Sequence, residues 1–198
     1  YFKKSNKIYM GFFSKIFKQK SNDKNEPVPL NIPTDLQRYE EIAEIVVVSE
    51  ALKSELKDKL KQAFENPKSF YDSDNEFILS ERGLTFPANV NLTAKFVLVD
   101  TLIDNDHMAE VDWKEDEEEV RFAINRILKA KNYRVAVTDE CKYDDNETLE
   151  ILEQIDIQEL KPKGFSLEIL DIDSDSYVFT IVALKDHEVI SKMFNQIK

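Results

Sequence analysis

The stretch GFSLEILDIDSDSYVFTIVA, residues 164–183, decides the fold. Phe165, Leu167 and Ile169 alternate along its first arm, and Tyr177, Phe179, Ile181 and Ala183 along its second. That two-residue period is the signature of pleated strands. The intervening DIDSDS carries the Asp and Ser side chains that favour turns. On the second arm the opposite face is apolar too, at Val178 and Val182, which predicts a strand buried on both sides and central to its sheet. The expectation is an α+β fold: a small antiparallel sheet with a central C-terminal hairpin, packed by four or five helices.

Helical spacing surrounds this hairpin. Upstream, 147–160 reads as a helix with Leu149, Leu152 and Ile155 inward, after a cap in 144–146 and before a stop at Pro162-Lys163-Gly164. Downstream, Asp186 is expected to cap a final helix that turns Val189, Ile190, Met193 and Ile197 toward the sheet. Residues 34–66 form the clearest long helix, with Thr34 and Gln37 at capping-box spacing. Its inward positions are Leu36, Tyr39, Ile42, Val46, Ser49, Leu52, Leu56, Leu60 and Phe64, and 47–49 permits a break. Ser73 and Glu76 suggest a short second helix ending at Gly83, with 77–79 readable as a strand instead. Pro87 suits the first turn of a helix over 89–102, whose apolar stripe is Leu92, Phe96, Val99, Leu102 and Ile103. A short strand at 108–113 then leads to a helix over 114–131, capped by Asp112, with Val120, Ile124, Ile127 and Leu128 inward. A further strand is expected at 133–137.

Composition narrows the function. The 198 residues include three glycines, and neither a Walker A pattern nor a dinucleotide fingerprint is present, which argues against both nucleotide-binding classes. Cys141 is the only cysteine, and His107 and His187 are far apart in sequence. A Cys/His zinc site and an intramolecular disulfide are therefore excluded, and a reducing cytoplasm fits. Both histidines read as solvated or capping residues. Residues 1–20 hold six lysines and no acid, which leaves 21 basic against 39 acidic residues in the rest. Such a body repels nucleic acid and suits a basic protein partner.

Two units follow: a basic tail with a Pro-containing linker over 1–33, and one domain over 34–198. The tail interleaves Phe12, Phe13, Ile16 and Phe17 with lysines, and its apolar run falls well short of the roughly 20 residues a bilayer span needs. The pattern permits a weak peripheral membrane contact through residues 10–20, and the alternative is a disordered tail with no membrane role. Met10 followed by Gly-Phe-Phe-Ser-Lys has the form of a bacterial start, which would put 1–9 upstream of it.

Trp113, Lys114, Glu115 and Asp116, with Leu170, Asp171, Ser174, Asp175, Ser176 and Tyr177, resemble an uncharacterised bacterial domain-of-unknown-function family. In that family a W-K-E-D helix start precedes an L-D-x-x-S-D-S-Y hairpin. The resemblance covers about residues 35–197. It implies an α+β bacterial domain and no particular activity; an immunity-like or accessory role is an association at the level of the fold alone.

Two groups of residues are candidate sites. Asp171, Asp173 and Asp175 recur at i, i+2 and i+4 as in a calcium loop, but an EF-hand would need glycine at Ser176 and glutamate at Val182. The expectation is a hairpin tip with no metal; the alternative is a metal site at these three aspartates. Trp113 with Glu115, Asp116, Glu117, Glu118 and Glu119 forms the other group, read as an acidic binding surface. Asp112, Glu115 and Asp116 could instead supply an acid/base pair or magnesium ligands. The sequence thus favours a non-enzymatic protein-binding domain without a cofactor, and the alternative is a metal-dependent hydrolase.

Overall fold

A computed structural model describes residues 32–71, 79–86, 90–143 and 146–197, with side chains from residue 35 onward. The principal elements in chain order are α1 (Ile32–Val46), α2 (Glu50–Glu65), α3 (Val90–Asp104), β1 (Ala109–Asp112), α4 (Glu117–Ala130), α5 (Thr148–Ile155), β2 (Phe165–Leu170), β3 (Ser176–Ala183) and α6 (His187–Phe194). A π turn at Asp156–Leu160 prolongs α5, and short 3-10 turns lie at Pro67–Tyr71, Leu79–Arg82, Lys161–Lys163 and Leu184–Asp186.

The strands form one antiparallel sheet in the order β1-β3-β2. β3 is central because both parities of its side chains find apolar cover. Val178 and Val182, with Leu170, join a core built largely from α1, α2, α3 and α6. Phe179 and Ile181, with Leu167, join the core of α4 and α5. Val178 and Phe179 are adjacent in sequence, on opposite faces, and both fully buried. The result is an α+β domain in which helices cover both faces of the sheet. Antiparallel sheets commonly leave one face to solvent; this one does not.

The predicted helix over 34–66 is two helices. Ser49, expected to face the core, is exposed at the break and caps α2, accepting the Leu52 N–H at 3.4 Å. β-branched Val47 and Val48 precede it, and an Ncap serine favours a new start over continuation. α1 also begins earlier than Thr34, since Pro33 fits a first helical turn. Gln37 then donates to Glu41 at 2.8 Å. α3 is buried on nearly every side rather than along one stripe, as expected of a helix wedged between α2 and the sheet layer. Its buried Lys95 donates to the Asp171 carbonyl and so ties the helix to the β-hairpin tip.

Several other expectations change. Residues 133–137 are not a strand, because the Asn125 amide takes both hydrogen-bonding groups of Val137. A side chain does there what a neighbouring strand would have done. Asp186 makes no side-chain cap bond, and Val189 is exposed while Ile190, Phe194 and Ile197 are buried. Ile151 is buried in α5 and Leu149 only half-buried. Gly164, at φ +86°, ends the 3-10 turn before β2. Gly83, at φ +77°, follows the turn at Leu79–Arg82, while Ser73, Glu76, Pro87 and the cap at 144–145 lie outside the described residues.

Candidate functional site

At the β-hairpin tip, Asp171 accepts the Asp173 N–H at 2.8 Å and the Ser174 hydroxyl accepts the Ser176 N–H at 3.1 Å. Asp173 sits in the left-handed region at φ +57°, which Asp tolerates better than most residues. These side chains build the turn. Among the described residues no group of three His, Cys, Asp or Glu is placed to hold a metal ion.

The acidic run 115–119 begins α4 one turn later than expected. Asp112 forms a local turn by accepting the Lys114 N–H at 2.9 Å. Asp116 is the true N-cap and accepts the Glu119 N–H at 3.0 Å. Both carboxylates are thus engaged with backbone amides. Trp113 stands on the intervening turn, 44 % exposed, with the Lys114 ammonium 4.1 Å from its ring centroid.

Glu117 departs from the surface reading altogether. It is fully buried, and its carboxylate is shared among the Arg121 guanidinium, at 2.6 and 2.7 Å, and the N–H groups of Lys142 and Tyr143. Arg121 also reaches Glu159 at 2.8 Å and the Thr138 carbonyl at 2.9 Å. Burial works to raise the Glu117 pKa, but the two amides and Arg121 outweigh it and hold the carboxyl below its usual range. This network fastens the segment between α4 and α5 onto both helices.

What remains at the surface is Glu115, partly buried, with Asp116, Glu118 and Glu119 exposed. Phe122 stands beside them at 58 % exposure, three and four residues after Glu119 and Glu118 and therefore on their helix face. The sequence reading missed Phe122. The signal was its position off the apolar stripe of Val120, Ile124 and Ile127.

Of the two histidines, only His107 departs from the solvated reading; the His187 ring stays partly exposed. His107 is buried, not solvated, and bonds the Asn105 carbonyl through Nδ1 at 2.8 Å just past the end of α3. His187 is half-buried, and its Nδ1 meets both Ser166, at 3.2 Å, and Glu168. A nucleophile–base–acid relay places the acid on one ring nitrogen and the nucleophile on the other. Here both partners address the same nitrogen, and Ser166 is fully buried. The trio fastens α6 to β2.

These features define an acidic α+β domain with exposed carboxylates at the start of α4 and two exposed aromatic side chains, Trp113 before it and Phe122 along it. The chain belongs to the family described as "Domain of unknown function (DUF6630)", whose model matches residues 38–198. No curated protein and no solved structure matches it.

Proposed function

We propose that this domain binds another protein through the patch formed by Trp113, Phe122, Glu115, Asp116, Glu118 and Glu119. The observations that carry the reading are the exposure of Trp113 on the turn before α4 and of Phe122 on the helix face of Glu118 and Glu119. Exposed Trp and Phe are over-represented at binding surfaces because each removes a large apolar area from water on association. The carboxylates would select a partner segment with basic residues, and the acidic body would speed its approach. An immunity-like or accessory role in a bacterial cytoplasm would use such a surface.

The test is affinity capture from the source cell with the wild-type chain beside Trp113→Ala/Phe122→Ala. The expected outcome is a basic partner whose retention falls with salt and is lost in the double variant, while the circular dichroism of the two chains agrees. Equal capture by both chains would contradict the assignment.

A further inference from the structure

Lys131 follows the last residue of α4, yet its side chain runs inward and is only 2 % exposed. Its Nζ donates to the Thr180 hydroxyl at 2.7 Å and to the Ile181 carbonyl at 2.8 Å. Both acceptors are uncharged. The Thr180 hydroxyl in turn donates a hydrogen bond to the His107 carbonyl at 2.7 Å. Lys131 therefore occupies the gap beside β3 where β1 has not yet begun, since pairing starts only at Ala109 opposite Phe179.

Counting hydrogens assigns the charge state. A neutral amine has two N–H groups, and two acceptors are present; a third proton would be buried without one. The same count applies to His107. Its Nδ1 must carry the hydrogen given to the Asn105 carbonyl, and its Nε2 is buried with no partner. A proton on Nε2 would have nowhere to go.

We propose that Lys131, Thr180 and His107 form a proton-sensitive joint: both basic side chains are neutral in the closed fold, and proton uptake loosens the seating of β1 and of the α4 end on β3.

Burial alone pushes Lys131 down to about 7. Burial also lowers His107, and the nearby Lys131 lowers it further, against the opposing influence of the Asn105 carbonyl and Asp106. The charged groups around the joint do not neutralise it. Asp106 is paired with Arg126 at 2.9 Å. On β2, Glu168 lies opposite Thr180 but is bonded to His187 of α6. Asp186 influences Tyr133, two residues beyond Lys131. Lys129, on α4 itself, points to solvent.

The sign follows from linkage. Unfolded lysine titrates near 10.4, so between about pH 7 and pH 10 the unfolded chain holds one proton more than the folded chain. Stability rises with pH across that window and is lost on descending it, by about tenfold in the unfolding constant per pH unit. His107 acts in the same direction at lower pH, below about 6.5.

Urea unfolding of the full chain and of Lys131→Met from pH 7 to 9.5 tests the proposal, together with amide protection factors in β1. The expected result is a ratio of the two unfolding constants that changes about tenfold per pH unit, with wild-type β1 protection falling on acidification. A pH-independent ratio overturns the proposal, as does unchanged β1 protection. Should Lys131→Met fail to fold, lysine 13Cε NMR of the wild-type chain replaces the ratio. One lysine titrating near pH 7 supports the joint, and uniform titration above about pH 10 overturns it.

Discussion

Without the Arg121 guanidinium, Glu117 would be left as a fully buried carboxylate and Glu159 as a nearly buried one, each lacking its countercharge. Breaking a buried pair from one side leaves an uncompensated charge in low dielectric and typically costs about 3–5 kcal/mol. Arg121→Ala should lose that much in urea denaturation at pH 7, and a loss under about 1 kcal/mol would contradict the network. The pH dependence has a definite sign. Because the folded Glu117 pKa is depressed, its contribution is present above the unfolded value near 4.3 and is lost as pH falls through the folded one. The penalty of Arg121→Ala should therefore shrink in acid. Glu117 stands three residues before Val120 and seven before Ile124, on the apolar stripe of α4, but what satisfies it there was not legible, because the Lys142 and Tyr143 amides arrive from a distant part of the chain.

The elements predicted best are those whose pattern is local. β3 announced itself through apolar residues at both parities, and α1, α2 and α4 through helical spacing. The errors arose where one side chain substituted for an element or where several residues could cap. Residues 133–137 have strand composition, yet Asn125 satisfies Val137 from α4, so no strand partner is needed. Asn125→Ala should cost about 1–3 kcal/mol, the usual penalty for stranding buried polar groups. It should also strip the Val137 amide of protection from hydrogen exchange; unchanged protection would show that another group holds that segment. At the start of α4, Asp112 and Asp116 both have capping chemistry. The helix uses the second because Asp112 is still the last residue of β1.

Over the whole molecule, one strand joins two helical layers and an acidic body adjoins a basic segment in sequence. Among the described residues no helix is long and apolar enough to cross a membrane. A lysine near an anionic leaflet contributes about 1 kcal/mol, and the opposing field of the body is screened over about 8 Å at physiological salt. The full chain should therefore co-sediment weakly and salt-sensitively with anionic vesicles, and a version starting at Ser21 should not. Equal pelleting at low salt would remove residues 10–20 as a membrane contact. Both the alternation of the 164–183 stretch and the apolar spacing of the helices could be read in advance. Of the exposed side chains around α4, Trp113 and the acids at 115, 116, 118 and 119 were read as surface in advance, whereas Glu117 proved buried and Phe122 was not singled out. The central structural claim is that β3 carries two cores at once, and adjacent residues test it directly. Val178→Ala and Phe179→Ala, measured separately by chemical denaturation, should each be destabilising. The expected losses are at least about 1.5 kcal/mol for the valine and about 3–5 kcal/mol for the phenylalanine. A loss below about 1 kcal/mol in either one would mean that its face of the sheet is not buried, and would contradict the two-core fold.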